Sequence, residues 1–286
     1  MTAQHNYSSE GYLNENFHLF HLRDSVGQER DFHFHEFDKI VILISGDVDY
    51  TVEGETYKLE PWDILLVRHH MIHRAQIDRS VPYERFIIYI DSAYVDAFAP
   101  EAGLMDCFAE AERRHNCVVR PPRNMIETLD GALRRLESAD REDGASVYGS
   151  SLMRGTMLVQ LLIIINRLML SGRPADSMRT AGKIAPALSY INENLTGDIS
   201  IDELAAMCFM SRYHFMRVFK DQTGCTVHNY IRQKRLVRAA RLIREGMSAS
   251  AAAAECGFSD YSAFHRAFCS TFKLSPGQLK NYVNRG

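Results

Sequence analysis

The chain has 286 residues, of which 46% are hydrophobic and 24% are charged, a composition that excludes a disordered or collagen-like chain and allows one large domain or two ordinary ones. Its formal net charge of −3 hides an asymmetry. Residues 183–286 hold 14 Lys and Arg against 8 Asp and Glu, whereas residues 1–182 hold 19 against 28. A basic C-terminal part and an acidic N-terminal part predict two domains with different partners, the last one a polyanion.

The cysteines and the apolar runs indicate a cellular compartment. The six cysteines form no CxxC pair, which favours reduced thiols over a disulfide framework. No basic-then-apolar signal opens the chain. The most apolar run, residues 157–170, contains polar side chains and falls short of the ~20 residues that a membrane helix needs. We therefore predict a cytoplasmic protein with no membrane partner.

Residues 18–90 are rich in short β-type runs separated by turn signals such as Glu53-Gly54-Glu55. The runs, in chain order, are FHLFHL, FHFHEF, KIVILISG, VDYTVEG, ETYKLE, DILLVR, HRAQI and RFIIYI. Short strands at a spacing of about ten residues predict an antiparallel barrel or jelly roll.

Two stretches of this region resemble the two motifs of the cupin barrel. The first is His33-Phe34-His35 before a strand that ends at Gly46, and the second is residues 60–67 followed by His73. In metal cupins, two histidines and a glutamate of the first motif join a histidine of the second. The resemblance implies that His33, His35 and His73 occupy the histidine positions.

The chain departs from the metal-binding pattern at two positions. Lys39 stands where the glutamate is usual, and a protonated lysine cannot bind a metal ion. Asp63 is aligned with the glycine that usually follows the proline. We therefore predict no metal and no other cofactor, with the three histidines as the alternative metal site.

We expect the barrel to bind a small-molecule effector instead, since small barrels have room for one ligand. The candidate ligand-binding residues are His33, His35, Tyr50, His73 and Arg85. Each of these side chains also fits a purely structural role.

The middle of the chain changes to a helical period. Residues 124–139 carry an apolar stripe, and residues 151–170 are apolar nearly all round, so the second helix must be covered on both sides. We predict that it meets a second subunit in a homodimer, with an intramolecular bundle as the alternative. Residues 171–177 have the composition of a linker.

Two similar helical units follow. An opening helix over residues 184–195 precedes a short helix over residues 202–208, a turn capped by Ser211, and a second helix. A basic helix from Thr226 to about Glu245 then leads to a repeat of the same plan. A connecting helix of roughly 20 residues spans about 30 Å, close to the ~34 Å of one DNA turn.

This part of the chain resembles the DNA-binding domain of the AraC/XylS family of bacterial transcription regulators. The most specific match is residues 253–268, followed by Leu274-Ser275-Pro276. The family implies base contacts from the outward face of each reading helix and phosphate contacts nearby. The corresponding DNA-binding residues are Arg212, Tyr213, Met216, Arg217, Lys220, Arg235, Tyr261, Ser262, His265 and Arg266. Lys220 and Arg235 are better suited to phosphate or structural contacts.

The predicted fold class is therefore multi-domain α+β, with a cupin-like antiparallel β-barrel and a C-terminal all-α double helix-turn-helix domain. The predicted domains are a barrel (residues 1–120), a helical dimerisation segment (121–171), a linker (172–183) and a DNA-binding domain (184–286). The family suggests a non-enzymatic activator that binds double-stranded DNA and RNA polymerase and responds to a sugar or related metabolite. The alternatives are a metal-dependent cupin enzyme fused to a DNA-binding domain, and a constitutive DNA-binding protein with a structural barrel.

Overall fold

A computed structural model describes residues 13, 15–24, 32–69, 71–78, 80–98, 100–142, 148–171, 179–180, 182–272 and 274–283. It confirms the α+β class, with antiparallel sheets before an all-helical C-terminal region. The strands are β1 (Phe17–Asp24), β2 (Asp38–Ser45), β3 (Val48–Val52), β4 (Glu55–Lys58), β5 (Ile64–Val67), β6 (His73–Ile77), β7 (Tyr83–Ile90), β8 (Val118–Val119) and β9 (Arg179–Thr180). The helices are α1 (Ser92–Phe98), α2 (Asp106–Arg113), α3 (Arg123–Glu142), α4 (Ser150–Ser171), α5 (Ala185–Glu193), α6 (Ile201–Met207), α7 (Arg212–Thr223), α8 (Val227–Arg244), α9 (Ala249–Glu255), α10 (Tyr261–Phe272) and α11 (Pro276–Val283).

The strands form two facing sheets in the orders β1-β7-β2-β5-β8 and β6-β3-β4-β9. Successive side chains of a strand point to opposite faces. Val41 and Leu43 of β2 therefore pack against Val48 and Tyr57 of the other sheet. Apolar side chains fill this part of the barrel, and polar side chains gather near Lys39, at the start of β2.

The outer face of the five-stranded sheet is covered by α2, α3 and α4. Ile40, Phe86 and Leu161 belong to this second core. Asn166 of α4 is buried there, and its amide donates to Leu104 O at 2.7 Å and accepts from the backbone N–H of Cys107 at 2.8 Å. The polar side chain therefore ties α4 to α2 at little desolvation cost.

Helix α4 matches the helix predicted over residues 151–170 to within one residue at each end. Residues 150–170 are long and apolar enough to cross a membrane by length and composition alone, because the helix also includes the residues that precede the apolar run 157–170. A helix in the core of a soluble protein can meet the same criteria of length and composition. Here α4 packs against α2, α3 and β8.

Three short segments differ from the sequence prediction. FHFHEF is not a regular strand, because its only ladder contact in the described residues is a bridge between His33 and His73. β8 and β9 have two residues each, too few for a periodic pattern. β9 lies inside the predicted linker and pairs with β4, while residues 172–178 lie outside the described residues. The predicted domain boundaries remain predictions.

The C-terminal helices begin at regular N-caps. The hydroxyls of Ser200, Ser211, Thr226 and Ser248 each accept from the backbone N–H three residues further on. The cap predicted at Ser211 is confirmed, and Thr226 caps the basic helix that was predicted to begin there. At the other end of α7, Gly224 takes the left-handed conformation at φ 74°, where a side chain is strained.

Candidate DNA-reading surface and effector cluster

The first reading helix is α7. Phe215 and Phe219 are fully buried in the core shared by α5, α6 and α8. The predicted DNA-binding side chains of this unit lie on the opposite face, where all are exposed: Arg212, Tyr213, Met216, Arg217 and Lys220. Tyr213 is 76% exposed. One face of α7 therefore anchors the helix and the other is free to enter a major groove.

The charged side chains on this face make only surface contacts in the described structure. Arg212 pairs with exposed Asp202 at 2.8 Å, and Arg217 donates to the ring nitrogen of His214 at 3.2 Å. Exposed contacts of this kind contribute about 0–1 kcal/mol. Exchanging them for contacts to bases or phosphates therefore costs little.

The second reading helix, α10, repeats the design. Phe264 and Phe268 are buried, Tyr261, Ser262 and Arg266 are exposed, and His265 is half-buried. The turn before this helix requires Gly257, which has φ 77°, and a Cβ there would lie 2.9 Å from the carbonyl oxygen of Thr196.

Arg235 of α8 joins the two units. Its guanidinium donates to the carbonyl oxygens of Leu195 at 2.7 Å, Gly197 at 2.6 Å and Gly257 at 3.0 Å. The first two acceptors follow α5, and the third lies in the turn before α10. Of the two roles considered for Arg235, these contacts favour the structural one over a phosphate contact.

The barrel places His33, His35, Lys39, Tyr50 and His73 together at one end, and we call this group the histidine cluster. All five are buried. One ring nitrogen from each histidine lies within 4.8 Å of the others. The Lys39 ammonium donates to the Tyr50 hydroxyl at 2.9 Å and lies 3.4 Å from Nε2 of His73.

Neighbouring atoms fix the proton on His73. Its Nδ1 lies 2.9 Å from the carbonyl oxygen of Met71, and a carbonyl only accepts, so Nδ1 carries the hydrogen. Nε2 then holds a lone pair that accepts from Lys39. Burial first, and then the charge of Lys39, hold the pKa of His73 well below its usual value. His73 is therefore neutral at neutral pH.

The three histidines of this cluster have the spacing of a metal-binding group, and Lys39 lies beside them. Three imidazoles are a reasonable donor set for zinc or similar ions. However, the lone pair that His73 would offer is already engaged by the Lys39 ammonium, and a dication there would face a buried like charge.

Arg85 lies apart from the cluster. On β2, Leu43 is opposite Arg85, whereas Lys39 is opposite Tyr89. Four residues along a strand span about 13 Å. The Arg85 guanidinium instead packs over the Tyr83 ring at 4.2 Å and donates to the Tyr83 carbonyl oxygen at 3.2 Å. The structure thus gathers four of the five predicted ligand residues and leaves Arg85 out.

Asp63 proves to be a structural residue. It is fully buried and accepts from Arg120 through both carboxylate oxygens, each at 2.8 Å. The left-handed backbone conformation falls one position earlier, at Trp62 with φ 73°.

The barrel also contacts the C-terminal domain through a charged site that the sequence did not reveal. The Glu53 carboxylate accepts from Lys234 Nζ at 2.8 Å and from the Tyr230 hydroxyl, both on α8. Glu36 pairs with Arg244 at 2.8 Å. In the sequence, Glu53 is only part of a turn signal, and no local pattern links it to residues about 180 positions away.

Comparison with known families gives two matches. A model described as an AraC-like ligand binding domain matches residues 19–147, and a model described as a helix-turn-helix domain matches residues 204–282. The first covers the barrel with α3, and the second covers both reading helices.

Similar proteins include the HTH-type transcriptional activator RhaS of Escherichia coli, 24% identical over 250 residues that cover 87% of this chain and 86% of RhaS. RhaS of Klebsiella pneumoniae is 23% identical with the same coverage. Among solved structures, ToxT from Vibrio cholerae is 12% identical, covers 94% of this chain and 98% of its own, and has a TM-score of 0.35.

Proposed function

This chain belongs to the AraC/XylS family of transcription regulators, and we propose that its two exposed reading faces recognise one operator while the histidine cluster binds the effector. The protein is a ligand-regulated, DNA-binding transcription regulator. The observation that carries the assignment of sites is the repeated design of α7 and α10. Each helix buries phenylalanines on one side and exposes hydrogen-bonding side chains on the other.

Within these faces, we assign base reading to Arg217 and Arg266 first. Each is exposed on the outward face of its helix, and a guanidinium pairs bidentately with guanine. Lys220, near the C-terminal end of α7, suits a phosphate.

The base-reading role of Arg217 is tested on a duplex selected from a random library. Arg217→Ala weakens binding to the selected duplex by about 1–3 kcal/mol and binding to random-sequence DNA much less. The matched control is Arg241→Ala, which removes an exposed arginine from α8 that pairs with Glu245 at 2.9 Å. Equal loss on both duplexes contradicts base reading by Arg217.

For the effector we propose a sugar or related metabolite at the histidine cluster. Buried imidazole, phenol and ammonium groups offer both donors and acceptors to a hydroxyl-rich ligand. A ligand that binds only the folded protein raises the melting temperature, and the rise grows with the logarithm of the ligand concentration above Kd. A thermal-shift screen of sugars and sugar derivatives tests this, and His35→Ala abolishes the shift. No shift across the panel supports the alternative of a constitutive DNA-binding protein.

We propose that no divalent metal resides in the barrel and that the barrel has no catalytic role. The engagement of His73 by Lys39 supports this proposal. Metal analysis of purified protein tests it, because stoichiometric iron, manganese or zinc supports the alternative of a cupin enzyme.

We further propose a cytoplasmic homodimer that activates transcription with RNA polymerase. An exposed apolar stripe on α4 supports the dimer, formed by Leu152, Met153, Ile163 and Leu170. Leu152→Glu lowers the dimer fraction in sedimentation velocity, whereas Val81→Glu, at an exposed apolar residue outside α4, does not. Equal behaviour of the two variants contradicts this interface.

A further inference from the structure

A single layer of residues, around His33-Phe34 and Ile72-His73, separates the histidine cluster from the C-terminal domain, and we call it the wall. His33 and His73 are joined by two backbone hydrogen bonds, at 3.1 Å and 2.9 Å, and their side chains enter the cluster. The neighbouring residues Phe34 and Ile72 point the other way and belong to the hydrophobic core of the C-terminal domain. The two faces of the same short segments therefore serve the two domains.

Glu53 bonds both to this wall and to α8. Its carboxylate accepts from the backbone N–H of Ile72 at 2.8 Å, from Lys234 at 2.8 Å and from the Tyr230 hydroxyl. Its own backbone N–H donates to the Ile72 carbonyl oxygen at 2.8 Å. A displacement of Ile72 therefore changes the position of the group that holds α8.

The ion pair between Glu53 and Lys234 is costly to separate partway. The side chains of Glu53 and Lys234 are only 14% and 13% exposed, and separating such a pair leaves charges that water reaches poorly. The next residue, Gly54, fits closely against α5, where a Cβ would lie 2.7 Å from Cδ1 of Leu188. The hairpin between β3 and β4 therefore lies close against α5 as well as α8.

We propose that Glu53 is an interdomain latch through which occupancy of the histidine cluster controls the docking of the C-terminal domain on the barrel. This inference rests on the proposed binding of the effector at the cluster. A ligand that takes the place of the Lys39–His73 hydrogen bond shifts the ring of His73, and Ile72 is the adjacent residue. A ligand that fits the docked and undocked arrangements unequally then changes their populations.

The latch is tested in the full-length protein by measuring one interdomain distance. Spin labels are placed at Ser80→Cys in the barrel and Glu203→Cys on α6, with partly exposed Cys269 changed to Ser. Glu53→Gln keeps the shape and removes the charge, and it shifts or broadens the distance distribution. The matched control is Glu60→Gln, which removes an exposed ion pair with Arg120 within the barrel domain, at 2.8 Å. It leaves the distance distribution unchanged.

A second arm tests the coupling to the cluster, with Lys39→Met as the probe. In the otherwise unchanged protein, Lys39→Met alters the distance distribution and changes affinity for the selected duplex by about fivefold or more. In the Glu53→Gln background it changes that affinity by no more than about twofold, the limit of additivity for uncoupled sites. Glu60→Gln, the same exposed control as in the first arm, has no effect in either background.

Two results overturn the latch: an unchanged distance distribution in Glu53→Gln, or an equal effect of Lys39→Met in both backgrounds. In either case, retained binding of the selected duplex leaves the proposed DNA-reading function intact. Failure of the unmutated protein to bind any selected duplex overturns the proposed function instead. Melting temperatures of all variants show that each one is folded.

Discussion

Replacing Arg235 with Met tests whether the two reading units are held together by one side chain. The substitution keeps an unbranched apolar stem and removes the donors to the carbonyl oxygens of Leu195, Gly197 and Gly257. Hydrogen bonds from a charged donor contribute about 1.5–3 kcal/mol each. Because Arg235 is only partly buried, water replaces part of this, and we expect a net local loss of about 2–4 kcal/mol.

Hydrogen exchange of the full-length protein reads this loss where it occurs. The amides of Gly257 and Phe258 donate to Ala254 and Ala253, and their protection reports the opening of the second unit. A loss of 2–4 kcal/mol corresponds to about 30-fold to 1000-fold faster exchange, since about 1.4 kcal/mol is a factor of ten.

The matched control is Arg232→Met, at an exposed position of the same helix that contacts only Asn229 in the described structure, at 2.8 Å. It leaves exchange in α9 and α10 unchanged. We call this structural role of Arg235 the brace. Unchanged exchange in Arg235→Met, together with weaker binding to all DNA sequences, contradicts the brace and supports a phosphate contact by Arg235 instead.

Three other predictions test the remaining structural assignments. Burial keeps His73 neutral in the folded state, with its pKa well below the usual value of 6.5, so only the unfolded chain gains this proton as pH falls below 6.5. The free energy of unfolding then declines by up to about 1.4 kcal/mol per pH unit. His73→Phe removes this contribution to the slope, as measured in urea titrations at pH 5 to 7. Arg120→Met leaves the Asp63 carboxylate buried and without its bidentate partner, which lowers the free energy of unfolding by about 3–5 kcal/mol; a milder effect than that of Asp63→Asn contradicts this role. Gly224→Ala forces a side chain into the left-handed conformation at φ 74° and costs about 1–2 kcal/mol, measured by exchange at the C-terminal end of α7.

The helices of the reading units were predictable because their signals are local. The caps Ser211 and Thr226 and the terminating Gly224 lie next to the helices that they begin or end, and side-chain oxygens at these positions satisfy free backbone groups of the adjoining turn. Caps and spacing therefore predicted the helices, and the family resemblance indicated the side chains on their outward faces.

The brace and the latch were not predictable from spacing. Arg235 finds acceptors 40, 38 and 22 residues away, and Glu53 finds donors 177 and 181 residues away. Such partners depend on how the elements pack, and no local period encodes that packing. The wrong strand prediction for FHFHEF has the same origin. Its alternating pattern reflects two different domains on its two sides rather than a sheet with one buried face.

The positions of these contacts narrow the ways in which an effector can regulate the protein. The barrel does not cover the reading faces, because the side chains of α7 and α10 predicted to meet bases are exposed or half-buried in the docked arrangement. Rearrangement within the reading domain is opposed by the three bonds of Arg235, which hold both units at one spacing. What remains free to change is the placement of the whole domain relative to the barrel, and in a dimer relative to the second copy. The histidine cluster lies one residue away from the contact between the barrel and the C-terminal core, which is where a bound ligand acts most directly on this placement.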